Sequence, residues 1–270
     1  MGRDKASLPF GDETLLQRVV RLVSPVVDEV VVVARPDQEL PALPAHVHIA
    51  HDEEPGLGPL AGIAAGLAAT SADAVFATAC DVPFLRAEVV ELLFDALGDA
   101  HAAVIEADGF LHPLAAVYRK AVEADARALL EEGRPRPFFL FERVPTVRVE
   151  ADAVREVDPE LASLENLNTE DAYCAALVRL ASTPTVRIEL YEVARQAAGV
   201  ASVDVEAETL GEALTALGAR HPALEGRVVE KGRLASHWRA SVDGKVFVED
   251  PATPLPRGAH VVIVSALAGG

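Results

Sequence analysis

The residue types that handle phosphate chemistry recur in this chain in short, well-separated groups. Met1-Gly2-Arg3-Asp4-Lys5-Ala6, followed by Leu8-Pro9-Phe10-Gly11, sets two cations close behind a glycine. A lysine and an arginine beside flexible backbone can hold a triphosphate and neutralise charge on its α-phosphate or on departing pyrophosphate. The same hexapeptide also reads as a charged, unstructured N-terminus. A second group joins Asp52 to the loop Gly56-Leu57-Gly58-Pro59-Leu60-Ala61-Gly62, between a strand and a helix. Its small residues allow a ligand close to the backbone, and the N–H groups opening the helix can face an anion. Asp52 can accept hydrogen bonds from a guanine edge or a ribose hydroxyl, or it is an ordinary exposed aspartate. In the third group, the apolar run Val75-Phe76-Ala77-Thr78-Ala79 leads into Cys80-Asp81-Val82-Pro83-Phe84. A lone carboxylate at the carboxyl end of such a strand can hold Mg²⁺ through one direct bond, with phosphate oxygens and waters completing the octahedron. A helix cap is the alternative reading for Asp81. His112-Pro113-Leu114 and Asn166-Leu167-Asn168-Thr169 stand beside regular elements; Asn168 and Thr169 can cap a helix, or Asn166 and Asn168 can point amides into a ligand crevice.

Something must bring these groups together. Up to about residue 182 the chain alternates apolar strands and helical runs: an amphipathic stretch from Thr14 to Val27, strands at Val30–Ala34 and from Val47, and a small-residue helix over Leu60–Ala69. A buried strand over Ala74–Cys80, a helix over Ala87–Leu97 and a strand over Ala102–Glu106 follow. That βαβ rhythm predicts an α/β domain with a mostly parallel sheet. Phe138, Phe139 and Phe141 read as a helix face, and His46, His48 and His51 as a polar strand edge or loop.

After Thr183-Pro184 the order changes to strand (Val186–Val193), strand (Ser202–Ala207), helix (Leu210–Ala219), then strands at Trp238–Val242, Lys245–Val248 and His260–Val264, a β-grasp pattern. Thr209 and Glu212 have capping-box spacing, Asp243-Gly244 suits a tight hairpin, and Trp238 is expected in the small core. The net charge of −18 separates the two parts as well: 15 Lys/Arg against 31 Asp/Glu before the break leaves −16, and 9 against 11 after it leaves −2. The expected domains are therefore residues 1–182 and 183–270. So acidic a chain is not expected to bind nucleic acid, and any phosphate site has to be created locally. No apolar run approaches the roughly 18 residues of a membrane span, and two distant cysteines, Cys80 and Cys174, fit a reducing cytoplasm.

Taken in order, Met1 to Lys5, Gly58 to Gly62, Cys80 to Pro83, His112-Pro113 and Asn166 to Thr169 resemble the MobA family of molybdenum-cofactor guanylyltransferases, over nearly all of the first 182 residues. The resemblance implies a Rossmann-like nucleotidyltransferase domain that transfers GMP from GTP to molybdopterin, with Mg²⁺ as cofactor. It gives Lys5 the nucleotide phosphates, Asp52 the GTP, Asp81 the metal and nucleotide, and Gly58, Pro59, Asn166 and Asn168 the substrate crevice. Two features depart from the family pattern. The family has a strand and an Ala-Gly-Gly loop before its Met-Gly, a strand expected in the middle of the sheet; the expectation is a true start upstream of Met1 or an impaired transferase. Val32-Val33-Ala34-Arg35-Pro36 also lacks an asparagine often found there, which leaves CTP or another acceptor as alternatives.

The end of the chain, Ala268-Gly269-Gly270, resembles the MoaD/ThiS sulfur carriers, ubiquitin-like β-grasp proteins ending in Gly-Gly. That likeness implies a C-terminal carboxylate that is adenylated and converted to a thiocarboxylate, with an adenylating protein of the MoeB type and a molybdopterin synthase large subunit of the MoaE type as partners. An impaired first domain with only the carrier tail active is the remaining alternative.

Overall fold

The computed structural model describes residues 4–52, 56–182, 185–256 and 258–266. The chain forms two compact units, one ending at Cys174 and the other beginning at Ala175.

In the first unit, amphipathic spacing makes α1 (Leu15–Val23), which buries Leu15, Leu16, Val19, Val20 and Val23. A full capping box starts it: Thr14 Oγ1 accepts from the Gln17 N–H at 3.3 Å, and Gln17 Oε1 accepts from the Thr14 N–H at 2.8 Å. The helix stops short of Val27. Pro25 has no N–H to continue the ladder, and the chain passes into a 3₁₀ turn over Ser24–Val26.

Strands β1 (Val30–Ala34) and β2 (Val47–His51) pair in parallel. Beyond α2 (Pro59–Ala69), strands β3 (Ala74–Thr78), β4 (Ala102–Ala107), β5 (Phe110–Arg119) and β6 (Thr146–Glu150) form a second sheet in the order β3-β5-β4-β6. β3, β4 and β6 share one direction and β5 alone opposes them. The hairpin joining β4 to β5 turns at Asp108 and Gly109, both at positive φ (52° and 78°). Helix α3 (Ala87–Leu97) packs Val89, Leu93 and Leu97 on one face of this sheet, against Ala103, Ile105 and Val117, and the short α6 (Ala151–Arg155) adds Val154 to the same cluster. The opposite face carries α2, α4 (Glu123–Glu131) and α5 (Phe138–Arg143), around Val104, Ala116 and Tyr118. Phe141 on α5 is buried as expected of a helix face, whereas Phe138 is exposed.

Among the described residues β1 pairs only with β2 and β3 only with β5, so each keeps one edge without ladder bonds. Small residues let α2 lie against both sheets: a Cβ added at Gly66 would stand 3.4 Å from Val33 Cγ2, while Leu60, Ile63 and Leu67 join the core over the second sheet.

The second unit contains β7 (Thr185–Leu190), α8 (Glu192–Ala198), β8 (Ser202–Glu206), α9 (Leu210–Arg220), β9 (Trp238–Val242), β10 (Val246–Val248) and β11 (His260–Ser265). Its sheet runs β8-β7-β11-β9-β10, with β7 and β11 parallel at the centre and every other pair antiparallel. First and last strands side by side, with a helix covering them, is the β-grasp fold. Leu210, Leu214 and Leu217 of α9 share its core with Ile188, Val205, Ile263 and Trp238. The strand expected to reach Val193 ends at Leu190, and Glu192, at φ 46°, opens α8. Thr209 caps α9 as expected, but the Glu212 carboxylate accepts from the Glu208 N–H at 2.8 Å, one residue before the box position. Asp243 and Gly244, at φ 52° and 66°, make the tight turn between β9 and β10.

Both units are thus α/β, a nucleotidyltransferase-like fold followed by a β-grasp. No helix among the described residues is long and apolar enough to cross a membrane.

Tyr118 is fully buried; its hydroxyl donates to the Pro113 carbonyl at 2.8 Å and its ring stacks on Phe141 with centroids 5.8 Å apart. Tyr118→Phe keeps the stacking and removes the hydrogen bond. Urea unfolding should show a loss of about 1 kcal/mol, and an unchanged midpoint would mean that the bond contributes nothing.

Candidate active site

Asp81 follows β3 at the carboxyl end of the parallel strands and is only 6% exposed. Lys5 Nζ donates to its Oδ2 at 2.6 Å and to Asn168 Oδ1 at 2.7 Å, while Asn166 Nδ2 donates to Asp81 Oδ1 at 3.1 Å. These bonds join segments 76, 163 and 85 positions apart in the sequence.

Each segment is fastened locally. Lys5 begins a 3₁₀ turn whose cap, Asp4, accepts from the Ala6 N–H at 3.1 Å. A few residues on, Phe10 is fully buried, edge-on to Phe84 at 5.9 Å and beneath the Arg18 guanidinium at 5.1 Å. Arg18, itself buried, donates from Nε to the Pro83 carbonyl at 2.7 Å. The N-terminal segment is therefore tied to the same turn that carries Asp81. On the other side, the Leu167 N–H donates to the Asp81 carbonyl at 3.0 Å and the Leu167 side chain is fully buried. With Leu167 turned inward, Asn166 and Asn168 both fall on the exposed side. Thr169 accepts from the Ala172 N–H at 3.1 Å, which starts α7 (Glu170–Ser182), and the Tyr173 hydroxyl donates to the Pro9 carbonyl. Arg18 and Tyr173 are positioning residues that the sequence did not reveal. Nothing in their spacing distinguishes them from a surface arginine and a helix tyrosine.

Asp52, Gly58 and Pro59 belong to a second segment. The Asp52 N–H donates to the Ala34 carbonyl at 2.9 Å, which puts Asp52 level with the carboxyl end of β1. Gly58 is the N-cap of α2 at φ 80°, with Pro59 in the first turn and no side chain capping it. A Cβ there would meet nothing within 4 Å, so glycine is needed for the backbone angle rather than for space. No cap side chain at Gly58 serves the first-turn amides of α2, which are the kind of group an anion can meet. Met1, Gly2, Arg3, Gly269 and Gly270 lie outside the described residues.

The surroundings argue against a nucleophile. The Cys80 thiol is pushed up to about 11, first by burial and then by the negative charge of Asp81, so it stays protonated at neutral pH. His112 is held below the ordinary imidazole value by burial, which a hydrogen bond with the Ala107 backbone only partly offsets. What remains is a buried carboxylate, an ammonium and two amides. For a metal these are hard oxygen donors without thiolate or imidazole, and no group of three or more His, Cys, Asp or Glu suited to a metal occurs among the described residues. A single carboxylate fits an ion bound mainly through phosphate oxygens and water, as magnesium is, better than one caged by protein. Lys5 already demonstrates that Asp81 accepts a cation at 2.6 Å.

Residues 1–146 match the family described as MobA-like NTP transferase domain. The probable molybdenum cofactor guanylyltransferase of Methanosarcina acetivorans is 35% identical over 179 residues, covering 62% of this chain and 79% of that protein. The protein of the same description from Mycobacterium tuberculosis is 38% identical over 176 residues, covering 63% and 83%. In fold, the chain is similar to the crystal structure of molybdopterin-guanine dinucleotide biosynthesis protein A from Archaeoglobus fulgidus, with a TM-score of 0.57 at 24% identity, over 67% of this chain and 92% of that one. With more than half its length matched by that family and relatives above 30% identity, the chain belongs to the MobA-like NTP transferases and is a nucleotidyltransferase.

Proposed function

We propose that the first domain, residues 1–182, transfers GMP from GTP to the terminal phosphate of molybdopterin and releases pyrophosphate, and that residues 183–270 are a sulfur carrier for the same cofactor's assembly. The observation that carries the first part is the Lys5–Asp81–Asn166–Asn168 network, a cation and a carboxylate meeting at the carboxyl end of a parallel sheet. The relatives' descriptions supply the base and the acceptor.

Attack of one phosphate on another requires alignment and charge neutralisation and no covalent enzyme intermediate. Lys5 shifts from Asp81 and Asn168 to the triphosphate oxygens, where its ammonium offsets charge building on the leaving pyrophosphate. Asp81 would hold Mg²⁺, which would supply Lewis-acid polarisation of the phosphates when bound. Asn166 and Asn168 turn their amides to the same crevice and orient the acceptor. Asp52 accepts from the guanine edge or ribose, while Gly58 and Pro59 present the start of α2 to the nucleotide.

For the second domain the support is the β-grasp order with β11 at its centre, together with the Gly269-Gly270 pair that follows β11 in the sequence. A terminus without side chains can enter a narrow activating site, where its carboxylate is adenylated and its oxygen replaced by sulfur. An adenylating protein of the MoeB type and a synthase subunit of the MoaE type are the partners, in the cytoplasm.

Pyrophosphate release from GTP, CTP and ATP in the presence of molybdopterin tests the first part. GTP should be used best, and Asp81→Asn should lower turnover by at least about 100-fold with an unchanged circular dichroism spectrum; full activity in that variant would reject the site. For the second part, incubation with adenylating enzyme, ATP and a sulfur donor should give a thiocarboxylate seen by mass spectrometry. Deleting Gly269-Gly270 should abolish that product, and an unmodified intact chain would reject the carrier role.

A further inference from the structure

The β-grasp sheet ends in two strands of different character. Among the described residues β8 pairs only with β7 and β10 only with β9, so each keeps one edge without ladder bonds. Such an edge is a template for another chain unless something blunts it. On β8 the blunting is plain. Val203 and Val205 are buried, and the alternate positions on the open face are Ser202, Asp204 and Glu206, with Asp204 held by the Arg187 guanidinium at 2.8 and 3.0 Å. Antiparallel pairing of β8 with its own copy about Asp204 would set two carboxylates directly opposite each other, which is unfavourable.

β10 is built the other way. Phe247 is 67% exposed and Val246 is 59% exposed, so most of this three-residue apolar strand faces water. Opposite charges flank it. Lys245 precedes the strand, exposed and without an ion pair among the described residues, and Glu249 follows it, 2.9 Å from the Arg239 Nε. We infer that β10 pairs antiparallel with β10 of a second copy of this chain, about a two-fold axis at Phe247. The segment Lys245–Glu249 is self-complementary about that residue. Lys245 falls opposite the second copy's Glu249 and Glu249 opposite its Lys245; Val246 and Val248 exchange partners in the same way, and the two Phe247 rings meet on the axis. Alternation places the charged pairs and the rings on the open face and the valines on the side of α9. Moving the axis to Val246 or Val248 sets Phe247 against Lys245 or Glu249, so one register satisfies every position. A lysine beside an edge strand ordinarily discourages pairing; here the carboxylate that answers it stands at the matching position. The contact is isologous and closes at two copies. Its small size places it among weak, concentration-dependent interfaces. β11, which leads to Gly269-Gly270, lies two strands in from this edge, and the pairing depends on neither proposed reaction.

Sedimentation velocity of the full chain at rising concentration tests the pairing. A monomer–dimer equilibrium is expected. Lys245→Glu sets two carboxylates opposite each other at both ends of the contact, and Glu249→Lys does the same with two ammonium groups; each variant alone should weaken the dimer at least about tenfold. Mixing the two variants restores opposite charges at both ends, so they should form a heterodimer about as tight as the parent dimer. Phe247→Asp should leave only monomer, and all three substitutions, at exposed positions, should keep the parent's circular dichroism spectrum. A parent chain that stays monomeric up to about 1 mM overturns the inference. So does a dimer that all three variants retain, which would place the contact elsewhere, or a mixture of the two charge variants that fails to associate.

Discussion

The contact between Lys5 and Asp81 is the constraint around which the first unit is arranged. An ammonium at 2.6 Å from a carboxylate that is almost buried has to be delivered with little freedom, because a long side chain on a loose terminus would lose too much conformational entropy to stay there. The protein removes that freedom before the lysine is reached. Phe10 is buried, Arg18 grips the Pro83 carbonyl, and Tyr173 reaches back to Pro9, so the segment following Lys5 is tied both to the turn bearing Asp81 and to α7. Leu167 does the same for the asparagines by plugging into the core between them. Lys5, Asn166 and Asn168 themselves are left partly or fully exposed, with partners a phosphate or a metal can replace.

The charge balance gives this arrangement its meaning. With 24 Lys and Arg against 42 Asp and Glu, the chain as a whole repels a triphosphate. A site for one must therefore be built from a few cations and backbone N–H groups at short range, where the local field outweighs the screened total. Lys5 and the first turn of α2 are such groups.

Much of this was legible from residue order. Helix α3 and strands β1 and β9 fall where their patterns predict, because apolar periodicity and turn residues agree there and no neighbour has to overrule them. Lys5, Asp81, Asn166 and Asn168 were legible as a set, since each is an unusual residue type for its place, although no single one carried the argument. What escaped was non-local. β5 contains a proline and small residues that do not alternate cleanly, and its strand character depends on being sandwiched between β3 and β4. The early end of β7 depends on Glu192 adopting a left-handed angle, which glutamate spacing does not announce. Arg18 and Tyr173 look like ordinary helix residues until the carbonyls they serve come within reach.

The sheet edges set a further limit on how the site can work. β1 and β3 each keep an edge without ladder bonds, and Thr78, at the end of β3, has a buried hydroxyl oxygen with no partner among the described residues. A stranded hydroxyl next to the catalytic turn weakens the frame that should hold Asp81, since an unmet buried group costs on the order of 1–3 kcal/mol. The tethers through Arg18 and Leu167 compensate from outside the sheet, joining the Asp81 turn to α1 and to the Asn166–Asn168 segment rather than to a neighbouring strand. The position of Asp81 is thus secured by side-chain and loop contacts more than by the ladder, and the precision of the site depends on packing around Phe10 and Leu167.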